Sequence, residues 1–579
     1  MRRLLGKSQT NNRGTQHQAS PTNLFQLSTK TIGLIVVVIF FIVPIVRLIW
    51  KSFSSDQGIT LQFYKDILRE PRTWEVLQNT MIIVVLSTAI AFILGTAFAW
   101  IVAYTNIRWK KLVQLFVFLP FIIPSYITSL AWVQFFGPGG LMERMLTYVS
   151  LPAISWDLYS MSGIIFVMAI SHFPLVYLFS VHVFRKIPRE MELAAQISGS
   201  SRWKAFRKII LPMALPGIVG GSFIAFLGSL DNFGIPAFLG TPADIPVLST
   251  YIYQQVIGFG TSAFQRAAVL SMILGVVAVV GLFFQWLVLR KSKQVETSSV
   301  DHSPRYDLGK KRPIVEIVIW LFFAVTSIFP LISMGLLSFL RAYGLDFAWE
   351  NFSWKNYAYI LTSNSTLEAI INSIQLAGVT AVVGIVVGTA FAYKRVRNSG
   401  ATTKIMETAI TIPYALPGMV LALAMIFAWM EPLPGWNPGI YGSALILYIA
   451  YMTRFLILQI RSSVTAFQQV NIEVEEAARI SGTNGFGKWK KVLIPLITPG
   501  VLGGALLVFL NALAELTVSS ILYSSTSETI GVSILSFQQS GYSLYATAFS
   551  TIIVGLIIMG YLLLFAVQYS WNRKVDKRK

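Results

Sequence analysis

Gly95-Thr-Ala-Phe-Ala-Trp100 returns as Gly388-Thr-Ala-Phe-Ala-Tyr393, 293 residues further on (95 to 388). Pro120 and Pro124 recur at the same displacement as Pro413 and Pro417, and Asn79-Thr80 recurs as Asn372-Ser373. Beyond these the displacement falls to 283 (197 to 480). Ile197-Ser-Gly199 matches Ile480-Ser-Gly482, and Leu211-Pro-Met-Ala-Leu-Pro-Gly217 matches Ile494-Pro-Leu-Ile-Thr-Pro-Gly500. The second copy has therefore lost about ten residues, near 431–440, by comparison of the two displacements. A repeat that covers most of the chain makes two related halves.

The halves are too apolar to be soluble. Of 579 residues, 55% are hydrophobic and 12% charged, with a mean hydropathy of +0.64; soluble domains carry about 25% charged residues. Apolar runs lie at about 31–50, 78–104, 112–136, 160–184, 212–230 and 265–289, then at 314–340, 369–393, 404–430, 440–462, 497–523 and 545–569. Each can cross the ~30 Å hydrocarbon layer as a helix. Even-numbered loops are basic, from Arg108, Lys110 and Lys111 to the tail Arg573–Lys579, and odd-numbered loops are near neutral. That alternation places both termini in the cytoplasm. Six runs separate equivalent positions, so the halves enter the membrane in the same sense and are related by an axis along its normal, with a pathway between them.

The expected fold is an all-α polytopic membrane protein with about twelve transmembrane helices in two parallel six-helix repeats. Residues 1–30 read as a polar cytoplasmic tail, 31–289 as the first membrane domain, 290–313 as a cytoplasmic linker, 314–570 as the second domain and 571–579 as a basic tail. The run at 31–50 is too long for a cleaved signal peptide and ends on bulky residues, so it is read as a retained span.

Several functions are excluded. The net charge of +21 sits in short clusters between apolar runs, the pattern of a topology signal and not of a nucleic-acid surface. With no cysteine there is no disulfide, thiolate metal site or cysteine nucleophile. His17 and His302 lie in polar segments, and His172 and His182 are ten apart, which is no metal-ligand spacing. No cluster of acids, histidines or activated serine suggests catalysis. No catalytic or metal residue is therefore assigned.

Two longer basic loops occupy matching positions. The first reads Ile187-Pro-Arg-Glu-Met-Glu-Leu-Ala-Ala-Gln-Ile-Ser-Gly199, and the second Asn471-Ile-Glu-Val-Glu-Glu-Ala-Ala-Arg-Ile-Ser-Gly482. Each continues through a basic segment to Pro212 or Pro495, expected to mark the return to the membrane. The chemistry predicts helix, turn and second helix. Pro188 suits a first helical position and Asn471 an N-cap. The acids belong in a first turn, and Gly199 and Gly482 fit a left-handed cap. Ala194-Ala195 and Ala477-Ala478 leave a bare face that another protein can approach closely.

These loops resemble the EAA motif of type I ABC importer permeases: Glu-Ala-Ala, three residues, Gly, nine residues, then Ile-x-Leu-Pro. The second copy fits with Glu476, Ala477, Ala478, Gly482 and Val492-Leu-Ile-Pro495. The first keeps Ala194, Ala195, Gly199 and Ile209-Ile-Leu-Pro212 but has Leu193 in the glutamate position, with Glu192 one residue earlier. The resemblance implies that both loops dock onto two copies of a cytoplasmic ABC ATPase, through Glu192, Ala194, Ala195 and Gly199 and through Glu476, Ala477, Ala478 and Gly482. It also implies an extracytoplasmic substrate-binding protein and a multi-pass location in a bacterial plasma (inner) membrane. ATP and Mg belong to the partner ATPase, and this chain binds no cofactor of its own. Gly482-Thr-Asn-Gly-Phe-Gly-Lys488 imitates a P-loop, but Trp489 stands where Ser or Thr would hold magnesium, so the chain is expected not to hydrolyse ATP.

Ionisable residues in spans are functional candidates. Asp231 and Asn232 follow the first loop and Glu515 the second, Glu515 aligning with Asn232. About twenty residues beyond the loop prolines, at 1.5 Å each, puts them ~30 Å up, at the external mouth of the translocation path. Capping of helix ends is the alternative reading. Arg454 and Glu407 read as topology or packing residues nearer the cytoplasm. Ser229-Leu-Asp-Asn-Phe-Gly-Ile-Pro236 and Ala514-Glu-Leu-Thr-Val-Ser519 resemble the fused permeases of ferric iron importers. Related permeases for thiamine, phosphonate, polyamines or oxyanions are alternatives, as is an ion-coupled secondary transporter, which would favour an inverted repeat.

Overall fold

The computed structural model describes residues 31–55, 58–137, 139–152, 156–258, 262–290, 301, 303–431, 439–483 and 485–576. The tail at 1–30, most of the 290–313 linker before residue 303, and the shortened loop at 432–438 lie outside them. In chain order the first half forms α1 (Thr31–Ser52), α2 (Pro71–Tyr104), a bent pair α3 (Lys110–Ile122) and α4 (Ser125–Phe136), α5 (Met161–Lys186), the short α6 (Arg189–Ile197), α7 (Arg202–Asp231) and α8 (Ala263–Leu289). The second half forms α9 (Gly309–Leu337), α10 (Asn364–Arg397), a bent pair α11 (Ala401–Ala415) and α12 (Gly418–Trp429), α13 (Leu445–Gln468), the short α14 (Ile472–Ile480), α15 (Gly485–Leu513) and α16 (Ser543–Leu563). Strand structure among the described residues is confined to a two-stranded pairing of Ser54–Ser55 with Gly58–Ile59.

Ten of these helices are long and apolar enough to cross a membrane, and the count rises to twelve if each bent pair is one span. The runs at 112–136 and 404–430 each read as one span in the sequence. They instead turn through 101° and 112° at Pro124 and Pro417. A residue before proline is driven from helical to extended backbone, and Ile123 (ψ 131°) and Leu416 (ψ 145°) are both extended. The helices that restart there are interior elements: all twelve residues of α12, and ten of the twelve of α4, are buried. Val279, Phe283 and Phe284 of α8 are instead exposed, as expected of a face whose surrounding solvent is hydrocarbon.

The repeated motifs have repeated structural jobs. A Cβ at Gly95 would lie 2.6 Å from Val176 Cβ on α5, and one at Gly388 would lie 2.9 Å from Gln459 Cγ on α13. The small residue lets the two helix backbones approach. Thr80 Oγ1 accepts a hydrogen bond from Leu248 N (2.9 Å), and Ser373 Oγ accepts one from Ile530 N (2.9 Å). Asn79 donates to Pro246 O (3.2 Å) and Asn372 to Glu528 O (3.0 Å). Each Asn-Thr/Ser pair thus secures the start of an equivalent short helix, Leu248–Ile257 or Ile530–Gln539, satisfying backbone groups that would otherwise be orphaned.

The halves are interlocked. The first helix of each packs on the other. On α1, Val37 and Phe41 join a core with Met406, Ile410, Ile457 and Ile460, and Phe40 meets Trp429 at 5.4 Å between rings. On α9, Phe323 packs against Phe98 (5.2 Å) and Ser333 donates to Gln134 O (2.7 Å). Sequence halves are therefore not packing halves, because each first span packs on the other repeat.

Candidate coupling loops and the contact between halves

Helices α6 and α14 stand at equivalent places and are built alike. Asn471 caps α14 through Glu473 N (3.4 Å). Pro188 proves to be the cap of α6, one residue before the expected position. Gly199 (φ +82°) and Gly482 (φ +74°) adopt the left-handed conformation. Just beyond them, Ser200 N bonds Ala195 O and Thr483 N bonds Ala478 O, both at 2.9 Å, completing the cap that orphan carbonyls require. A Cβ on either glycine would meet nothing within 4 Å, so the space beside it is open to a partner.

The exposed faces match. Leu193, Ala194, Ile197 and Gly199 are exposed on the first loop, and Glu476, Ala477, Ile480 and Gly482 on the second. Ile197 and Ile480 are 87% and 88% exposed, exceptional for isoleucine. Ala195 and Ala478 face inward. Glu192 departs from its expected docking role: it is 4% exposed and turned into the protein. At the displacement of 283 it is the counterpart of Glu475 (5% exposed), not of Glu476.

Both inward glutamates are anchored, with different partners. Glu475 accepts from Arg397 Nε (2.6 Å), Lys488 Nζ (2.7 Å) and Tyr393 Oη (3.2 Å). Burial pushes its carboxyl pKa up, but hydrogen bonds from Lys488 and Arg397 outweigh that and hold it below the usual range. Lys488, the lysine of the P-loop look-alike, is thus committed to Glu475. Glu192 accepts from Tyr306 Oη and lies 3.7 Å from Arg305 Nη1. Burial and the Glu192 carboxylate push the Tyr306 hydroxyl pKa above its ordinary value.

The loop prolines do not divide loop from span into separate helices. Helices α7 and α15 run unbroken from loop to span through a π-helical turn, Phe206–Ile210 or Trp489–Leu493. Each turn ends just before the proline and accommodates its missing N–H. Asp231 Oδ2 accepts from Arg454 Nη2 (2.8 Å), and its Oδ1 accepts from the Gly418 backbone N–H at the start of α12. Arg454 is about 14 Å along α13 from Leu445, so it lies well inside the span and not near the cytoplasm as expected. A Cβ at Gly418 would fall 2.7 Å from both Arg454 Nη1 and Thr517 Cγ2, so a larger residue there would displace these side chains.

Asn232 and Glu515 cap helices. Asn232 Oδ1 accepts from Ile235 N (2.9 Å), and the Glu515 carboxylate accepts from Val518 N (3.0 Å) and Ser519 N (3.2 Å). Glu407 pairs with Arg395. His172 Nδ1 bonds Met168 O at 2.8 Å in the ordinary helical manner. Among the described residues no three His, Cys, Asp or Glu converge as metal ligands. Sequence reasoning missed the pairing of Arg454 with Asp231; the isolated charge of Arg454 in the middle of an apolar run was the available signal.

The sequence profile of the binding-protein-dependent transport system inner membrane component matches the chain twice, at residues 91–296 and 382–577. A probable ABC transporter permease protein, y4fN, of Sinorhizobium fredii is 25% identical over 87% of this chain and 90% of its own length. The ferric transport system permease protein FbpB of Actinobacillus pleuropneumoniae is 24% identical over 92% of this chain and 77% of its own. A putative 2-aminoethylphosphonate transport system permease protein, PhnU, of Salmonella choleraesuis is 25% identical over 45% of this chain and 91% of its own.

Proposed function

This chain belongs to the binding-protein-dependent transport system inner membrane components and is the permease of an ABC importer, and from that premise we propose that its cargo is ferric iron. The chain contributes a membrane component, and hydrolysis is the work of a partner ATPase. Two ATPase copies bind, one on α6 and one on α14, and both termini face the cytoplasm with these helices. A binding protein delivers cargo on the opposite side. The observation that carries the docking reading is the matched pair of helices, each presenting exposed alanine, isoleucine and left-handed glycine over an inward-anchored glutamate. The iron reading is supported by the likeness to FbpB over nearly the whole chain.

In this reading ATP-driven closure of the ATPase pair pushes α6 and α14, and the rigid spans rock about the axis between the halves. Asp231 of the first half pairs with Arg454 of the second, so an opening between the halves at their level must part them. Selectivity resides in the binding protein, and the permease path need only pass what is delivered. The deciding experiment reconstitutes the chain with its co-purifying ATPase in vesicles and supplies binding proteins loaded with ferric iron or with 2-aminoethylphosphonate. ATP-dependent uptake of iron alone is the expected result. Uptake of the phosphonate alone would overturn the cargo assignment, and uptake without any ATPase would overturn the docking reading.

A further inference from the structure

The two inward glutamates sit in half-sites that differ in where their partners come from. In the second half, Arg397 and Tyr393 lie on α10 and Lys488 at the start of α15, all belonging to that half. The repeat puts Tyr104, Trp100 and Ala205 in the corresponding first-half positions. None of these carries a positive charge, and among the described residues the one ion pair of Glu192 is with Arg305; without it Glu192 would be a buried carboxylate lacking a counter-ion, a costly arrangement. The chain joining the halves supplies what is missing. Arg305 and Tyr306 come from that connection, more than a hundred residues from Glu192 (|i−j| = 114 for Tyr306).

The connection is tied down on both sides of the glutamate. Arg305 N and Tyr306 N both donate to Tyr104 O at 2.8 Å, and Asp301 N donates to Arg185 O at 2.9 Å. The Arg305 guanidinium lies over the Tyr104 ring at 4.5 Å and donates to Ile187 O. Its side chain is 2% exposed, a depth at which an arginine must be paired. Further along, Leu308 N bonds Asn106 Oδ1 (3.1 Å), and Arg108 N bonds Glu316 of α9 (2.8 Å). The described residues of the strap are therefore fastened at points from the base of α6 to the first turns of α9.

We propose that the Arg305-Tyr306 strap is a positioning element for the first coupling helix, replacing with residues of the inter-half connection the Arg-Tyr-Lys anchor that the second half carries within itself. It holds α6 rigidly to the membrane helices so that a push on α6 moves α2, α5 and α9 together. This rests on the docking reading above, and it makes the connection an active mechanical part of the fused chain.

Ile197 and Ile480 supply matched reporters, because they are equivalent and equally exposed, and the absence of native cysteine lets each be replaced singly by a spin-labelled cysteine. In the full chain carrying Arg305→Ala with Tyr306→Phe, the label at 197 should become several-fold more mobile while the label at 480 stays unchanged. In vesicles with the ATPase, cargo moved per ATP hydrolysed should fall several-fold although the ATPase still binds. Lys488→Met is the mirror control and should loosen the label at 480 alone. An unchanged label at 197, or a loosened label with an unchanged transport-to-hydrolysis ratio, overturns the strap's role. Failure of the docking reading shows separately: in the unsubstituted chain, adding the ATPase would then immobilise neither label.

Discussion

Replacing Asp231 with asparagine keeps the shape of the contact between halves and removes its charge. The unsubstituted side chain receives Arg454 Nη2 at 2.8 Å and the Gly418 backbone N–H, and it is 31% exposed. A hydrogen bond to a charged group contributes about 1.5–3 kcal/mol; partial exposure of Asp231 reduces the loss to about 1–2 kcal/mol. Arg454 is then left with Glu515 as its remaining acidic neighbour, and its buried Nη1 already has no hydrogen-bond partner. If the pair holds the halves together, the closed arrangement loses weight against any open one by about 5–30-fold, since 1.4 kcal/mol is a factor of ten. The assay is maleimide labelling of a single cysteine placed at Thr517, beside Gly418, in vesicles without nucleotide, together with ATP hydrolysis in the absence of cargo. Labelling and idle hydrolysis should both rise in Asp231→Asn, and the exchange Asp231→Arg with Arg454→Asp should bring them back toward the original values. Unaltered labelling and hydrolysis in Asp231→Asn would refute the reasoning, because a contact that is broken at no energetic consequence cannot bias the pathway.

Gly482→Ala should cost the loop only the strain of a left-handed non-glycine residue, about 1–2 kcal/mol, and leave most uptake intact. Gly482→Trp finds open space in this chain, so loss of transport with retained membrane insertion reports a partner at that surface, and unchanged uptake counts against docking. Acid should release α14 only at the low extreme. The Glu475 pKa is depressed in the folded state, so its anchoring contribution is complete above its unfolded value of about 4.3 and fades as pH falls through the lower folded value. The mobility of a label at 480 should accordingly stay flat from pH 8 to 5 and rise below about pH 4, whereas Glu475→Gln should be mobile across the range; a rise already near pH 6 would contradict the assignment.

Much of the fold was legible because the repeat carries its own structural reasons. Gly95 and Gly388 mark close helix contacts, Asn79-Thr80 and Asn372-Ser373 fasten short helices, and Gly199 and Gly482 cap the loop helices. All are local or recur at fixed spacing, so a linear reading finds them. Hydropathy could not reveal that Pro124 and Pro417 fold their runs inward, because an interior helix such as α12 is as apolar as one facing lipid. Nor could it show α1 and α9 exchanged between halves, since the partner of an apolar stripe is not written in the stripe.

The misplaced residues share a cause. The motif's acid suggests a docking role for Glu192, but its register with Glu475 decides its direction: on a helix, one residue's shift turns a side chain by about 100°, from the exposed face to the interior. Arg454 was assigned to topology because a positive charge is usually a loop signal, yet its pairing with Asp231 comes from the other half of the chain. At the corresponding places the repeat offers Ser171 and Ala514, so the pair exists once. The strap at Glu192 also exists once. Duplicated architecture explains where the loops and helices are, and the unduplicated charges say where the two halves do different work: α6 is held through the connection between halves, α14 by its own repeat, and the only ion pair found between α7 and α13 among the described residues joins them at a point off the symmetry of both.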